Sequence, residues 1–238
     1  MIDQPISAIY VLRETFAKMG AIYAPLLIIN SPSLIILLVN NFGLGSAAIP
    51  LNIIYLFVLI PFLSGAMIFY SYRSLTGNQV TVSEAFNQAN RRLLQLILAY
   101  FIPLGLILAG IIGIMLFHLF LPGLILLLIE ILGCYILSRL MFSSYVTVIN
   151  NSSLQDSLNS SWKLTQGRWW LLFRANFLLS IVALGPAILI FGLIGSRLGN
   201  SLASQMVSNL LGFLVGPLMT VYMVLLYQEL RESAATIE

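Results

Sequence analysis

Long uninterrupted apolar stretches alternate along this chain with short polar segments, and the distance between charges decides what the stretches are. Between Lys18 and Arg73 there are 54 uncharged residues, between Arg92 and Glu130 37, between Arg174 and Arg197 22, and between Arg197 and Glu229 31. A helix needs about 20 apolar residues to cross roughly 30 Å of hydrocarbon. The first gap therefore holds two spans and a turn marked by Asn40, Asn41, Gly43, Gly45 and Pro50, and the second is interrupted between Phe117 and Gly123. Six helical spans are predicted, centred on residues 20–40, 51–72, 93–117, 122–145, 169–194 and 205–228. Runs such as Leu104 to Ile112 lack the two-residue alternation of a transmembrane barrel strand. Pro25, Pro32, Pro61, Pro103, Pro186 and Pro217 fall inside the spans. Membrane helices tolerate them where neighbouring groups satisfy the carbonyl that a missing N–H leaves free.

Each pair of spans is preceded by a short amphipathic segment. Thr81 to Asn87 matches Ser153 to Asn159 at an offset of 72, and Pro5 to Tyr10 fits the same frame more loosely. Ile6 and Tyr10, Val82 and Phe86, and Leu154 and Leu158 each form one helical stripe. Ser83 and Ser153 are the expected N-caps, with Glu84 and Asp156 in the first turns, where the helix dipole favours an acid. Basic residues follow in the later turns, as in a surface-lying helix that runs into a span. The expected fold is all-α: one membrane domain over 1–238, with six transmembrane helices and three cytoplasmic-side amphipathic helices. These are arranged as tandem repeats over 5–72, 80–149 and 152–231.

Composition fixes the solvent. Of 238 residues, 60% are hydrophobic and 8% charged, and the mean hydropathy is +1.00. A water-soluble domain carries about a quarter charged residues, which excludes an ordinary soluble enzyme, a nucleic-acid-binding module and a disordered chain. In the six-span arrangement Arg13, Lys18, Arg73, Arg91, Arg92, Arg139, Lys163, Arg168, Arg174 and Arg231 fall on one side and only Arg197 on the other. That asymmetry places both termini in the cytoplasm, with a bacterial inner membrane as the expected location. No compact cleavable signal follows Asp3, Arg13, Glu14 and Lys18.

Supply limits the chemistry. One His, one Cys, two Asp and six Glu, without a Gly-rich phosphate loop, HExxH or CxxC, indicate no catalytic, cofactor or metal site. His118 reads as an interfacial side chain and Cys134 as a packing residue. Glu130 departs from the pattern: counted from Pro122 it lies about 12 Å into the membrane. An ionisable group there is costly and marks a candidate site. Arg139, nine residues later, faces the other way, so a partner must come from another span: Arg174, Asn176, Tyr100 or Tyr222. Glu130, Arg139 and Arg174 form the candidate intramembrane polar site. It reads either as a proton- or substrate-linked group or as a hydrogen-bonded carboxyl that fixes packing. Trp162, Trp169 and Trp170 with Lys163 and Arg168, and the pair Arg91 and Arg92, are candidate interface anchors or lipid-headgroup contacts.

The segment Ser160-Ser161-Trp162-Lys163-Leu164-Thr165-Gln166-Gly167, of the form S-W-x-L-T-x-G, follows an amphipathic helix and precedes a span. With Gly216-Pro217-Leu218 and the closing Tyr227 to Arg231, it resembles the membrane-domain family found with bacterial glycerophosphoryl diester phosphodiesterases and in related six-span bacterial proteins. The resemblance implies six spans and a stand-alone membrane module. The family's catalytic barrel has no counterpart here, so no phosphodiesterase residue carries over. The expected function is that of a non-enzymatic integral membrane protein. Its partners are membrane lipids and other membrane proteins or itself, with no nucleic acid, and it assembles, stabilises or regulates a membrane complex. The alternative is a small transporter or lipid-handling protein using Glu130.

Overall fold

The computed structural model describes residues 7–35, 48–117, 123–198 and 202–235, and every extended regular element among them is a helix. In chain order these are α1 (Ala8–Asn30) and α2 (Ala48–Ile54), which passes through a π-helical turn (Tyr55–Leu59) into α3 (Ile60–Leu75). Then come α4 (Val82–Arg91), α5 (Leu93–Phe117), α6 (Gly123–Leu140) and α7 (Ser143–Ile149). The chain continues with α8 (Leu154–Leu164), α9 (Trp169–Leu198) and α10 (Leu202–Ala235). Among the described residues, three stretches are long and apolar enough to cross a membrane: Ile49–Leu75, Ile131–Ile149 and Asn209–Ala235. Described apolar stretches in α5 and α9, Leu93–Pro103 and Trp169–Ala183, are shorter. This is a helical protein whose described residues hold three candidate membrane spans.

The core lies where α1, α3, α7 and the second half of α10 converge, with α4, α8 and the starts of α5 and α9 around them. Val11, Leu26 and Ile29 of α1 meet Ala66 and Ile68 of α3, Phe142 and Val146, and the run Val221 to Leu230. Phe142, Tyr145 and Tyr227 form an aromatic cluster with ring centroids 5.5 to 6.2 Å apart. Gly65, buried on α3, faces the Leu96 side chain of α5 so closely that a Cβ would run into it.

Two of the prolines within these helices, Pro217 and Pro103, are compensated from elsewhere in the chain. Pro217 has no N–H for the Phe213 carbonyl, and Asn30 Nδ2 donates to that oxygen at 3.1 Å while Tyr23 donates to the next carbonyl, Leu214, at 2.9 Å. Pro103 likewise frees Ala99, whose carbonyl accepts from Ser143 Oγ at 3.4 Å. At Pro61 the helix widens just upstream: the Ile60 N–H reaches back five residues to the Tyr55 carbonyl.

Several expectations need correction. The N-cap of α4 is Thr81, not Ser83: Thr81 Oγ1 accepts from the Glu84 N–H at 3.2 Å, and the Glu84 carboxylate accepts from the Thr81 N–H at 2.8 Å. Both ends of this reciprocal pair need the three-residue spacing, which Ser83 lacks. Ser153 is the cap of α8, with its hydroxyl bonded to Asp156. The first predicted amphipathic segment is not a separate helix over the described residues, because from Ala8 the chain is one continuous helix to Asn30. The stretch 122–145 is broken at Met141 and Phe142. Just before the break the Arg139 carbonyl accepts hydroxyls from Ser161 (2.7 Å) and Thr165 (3.4 Å), which compete with the helix's own bonding.

The helices α4 and α8 match in detail at the offset of 72. Thr81 and Glu84 correspond to Ser153 and Asp156, and the buried pair Ala85 and Ala89 corresponds to Ser157 and Ser161. After each helix comes a buried Leu and Ala three residues apart, Leu96 and Ala99 in α5 and Leu172 and Ala175 in α9.

Candidate functional site: a clamped arginine and a cavity at a helix break

Arg139 ends α6 with only 6% of its surface exposed. A buried guanidinium must find acceptors to offset its lost hydration. Its Nε donates to the Tyr135 hydroxyl at 3.1 Å, one helical turn back, and its Nη1 donates to the Trp162 carbonyl of α8 at 3.0 Å. The cation also lies over two rings, 5.2 Å from the Tyr135 centroid and 4.7 Å from that of Trp162. Ser161 and Thr165 bond the backbone oxygen of the same arginine. Three residues of the S-W-x-L-T segment thus grip Arg139, so the motif joins α8 to the end of α6.

Beside this clamp, a cavity of about 350 Å³ opens at the break between α6 and α7. Ser64 and Ile68 of α3, Tyr100 and Pro103 of α5, and Thr220 and Met223 of α10 line it, together with Leu140, Met141, Ser143, Ser144 and Tyr145. Apolar walls carrying several hydroxyls suit an amphiphile or an uncharged polar solute. Ser143 is committed to the Ala99 carbonyl; Ser64, Tyr100, Ser144, Tyr145 and Thr220 give the cavity the rest of its hydroxyls, although Thr220 also donates to Gly216.

The other predicted site residues that are described each have their own partners or face outward. Glu130 lies on α6, and its side chain is outside the described residues, as is the whole of His118. Arg174 is exposed and donates to the Trp170 carbonyl of its own helix at 3.3 Å. Asn176 bonds the Leu172 carbonyl, and Tyr222 bonds the Ala175 carbonyl. Arg168 caps the end of α10, donating to the Leu230 carbonyl at 2.9 Å and to Ser233 Oγ at 2.8 Å. Arg92 reaches Asn151, which sits in a left-handed conformation (φ 55°) and also accepts from Gln88. Arg91, Lys163 and Cys134 are exposed. On α9, Trp169, Trp170, Phe173 and Phe177 make a ladder of ring contacts. Trp170, Phe173 and Phe177 are 65%, 49% and 59% exposed, and Ile181 continues their stripe.

Sequence reasoning missed Ser143, Asn30 and Tyr23. A proline inside a span signals that a carbonyl four residues back needs a donor, but nothing local says which side chain supplies it. No family model matches this chain, and no curated protein or solved structure matches it either.

Proposed function

We propose that this chain is a non-enzymatic, six-span integral membrane protein of a bacterial inner membrane that acts through contacts with lipid and with other membrane proteins or a second copy of itself. In this reading both termini are cytoplasmic. Three tandem units, each an amphipathic helix followed by a helical hairpin, build the domain, and the chain belongs with the membrane-domain family it resembles. The close match between α4 and α8 supports the repeat. The arrangement of cations supports the orientation, because Arg168, Arg231 and Arg92 bond groups near the ends of other helices at a common face. The observation that carries the contact function is the outward aromatic ladder of α9, which offers a continuous apolar surface.

Purification of the full chain in mild detergent, followed by native mass spectrometry, tests this. A stoichiometric protein partner, a second copy or a retained phospholipid is expected. A chain that emerges alone, empty and monomeric overturns the proposal.

The cavity at the α6–α7 break favours a second reading, a lipid-handling or small transport protein. A solute retained at one per chain and lost on Thr220→Leu or Ser144→Leu, which fill the cavity, would favour it over the first.

A further inference from the structure

A second depression, of about 270 Å³, lies between the end of α3 and the polar face of α4. Arg73, Arg91, Asn87, Gln88 and Glu84 line it, with Phe69 at its apolar edge. Its chemistry differs from that of four other arginines described above. Arg139, Arg168, Arg92 and Arg231 donate to groups on other segments. Among the described residues, neither the Arg73 nor the Arg91 guanidinium forms an ion pair. Arg73 is held over the Phe69 ring at 5.9 Å, which positions its donors without consuming them. Two guanidiniums from adjacent helices thus face one small volume with their donor forks free, the arrangement that binds phosphate oxygens best.

Glu84 sets the charge of the ligand. One of its carboxylate oxygens is tied to the Thr81 N–H in the capping pair, so the acid stays at the wall. Two cations and one fixed anion leave a single net positive charge, which matches a phosphodiester. Location supplies the source. The apolar stretch Ile49–Leu75 ends at the level of Arg73, and Phe69 lies one turn deeper, so the depression sits where an apolar span gives way to the polar face of an amphipathic helix.

We propose that this depression binds the phosphodiester of a membrane phospholipid, with Arg73 and Arg91 gripping the phosphate and Phe69 packing against the glycerol end. The proposal rests on the lipid-contact reading above and names its site. The test uses delipidated full-length protein in mild detergent, titrated with dihexanoyl phosphatidylglycerol, with dihexanoylglycerol and with inorganic phosphate, and read by native mass spectrometry. One phosphatidylglycerol per chain is expected, with dihexanoylglycerol failing to bind and millimolar inorganic phosphate failing to displace the lipid. The double variant Arg73→Gln/Arg91→Gln should weaken phospholipid binding about tenfold or more, and Arg73→Lys/Arg91→Lys should restore part of it. Both positions are exposed, so an unchanged thermal midpoint will report an intact fold. If the double variant binds phosphatidylglycerol as the parent does, this site is wrong while the lipid-contact reading stands. If the parent binds no phospholipid, both fail. Displacement by inorganic phosphate overturns the membrane source and assigns the pocket to the free ion.

Discussion

The helices α4 and α8 share caps, a buried two-residue stripe and a place before a long helix, yet they treat neighbouring cations in opposite ways. Helix α8 presents Ser161, Trp162 and Thr165 to Arg139 and seals it into the fold. At the positions corresponding to these three, the α4 region has Ala89, Asn90 and Leu93, and Arg91 and the nearby Arg73 keep open donors. Two hydroxyls and an indole, where the α4 region has an alanine, an asparagine and a leucine, convert a cation from a surface feature into a structural bond. The same helical frame can therefore anchor a neighbour or expose a binding surface, depending on a few side chains.

The largest effect should come from the clamp itself. Arg139→Ala removes a charge-assisted hydrogen bond, a second bond to Tyr135 and two ring contacts, and should lower stability by about 2–4 kcal/mol. Arg91→Ala should change it by less than about 0.5 kcal/mol. Thermal unfolding of the two variants in the same detergent compares them, and equal losses would end the distinction between the two helices. A smaller effect is expected from Ser161→Ala. Its hydroxyl donates to the Arg139 carbonyl at 2.7 Å, and single interhelical hydrogen bonds in membrane proteins contribute about 1 kcal/mol or less. If α8 becomes more like α4 through this change, hydrogen exchange at the α6–α7 break should quicken before global unfolding does. The smallest effect has the opposite sign. Ser157 is fully buried and its hydroxyl has no partner among the described residues. Ser157→Ala, which copies Ala85 of α4, should leave the thermal midpoint unchanged or raise it, by at most about 1 kcal/mol in stability. A clear loss would mean that the hydroxyl is bonded after all.

Local signals made much of the architecture legible. Thr81 and Glu84, like Ser153 and Asp156, lie three residues apart, and a cap needs no more than that spacing and the helix dipole, although choosing between Thr81 and Ser83 took the structure. The helical content followed from apolar runs without alternation, and the three described stretches that satisfy length and composition for spans each overlap a predicted one. The S-W-x-L-T segment stood out as a motif, but its use did not. Arg139 lies 23 residues from Trp162, and neither sequence neighbourhood shows that the two will meet. The expected grouping of Arg139 and Arg174 with Glu130 relied on the depth of Glu130 in its span and its need for a partner from another helix; the Glu130 side chain lies outside the described residues. In the fold each arginine has its own acceptors, Tyr135 and Trp162 for one and the Trp170 carbonyl for the other.

By itself the sequence determined the solvent, the helical class and the cap of α8 at Ser153, because each depends on the free energy of residues close together in the chain: the burial of apolar side chains over about 20 positions, or one turn of unsatisfied N–H groups. Only the tertiary structure decided which charges are spent and which remain available. Asn30 reaches Phe213 across 183 residues and Ser143 reaches Ala99 across 44. A carbonyl freed by proline demands a donor, but in a low-dielectric interior any suitably placed group can answer, and packing alone chooses it. The same choice closed Arg139 beneath Trp162 and left Arg73 and Arg91 facing open space.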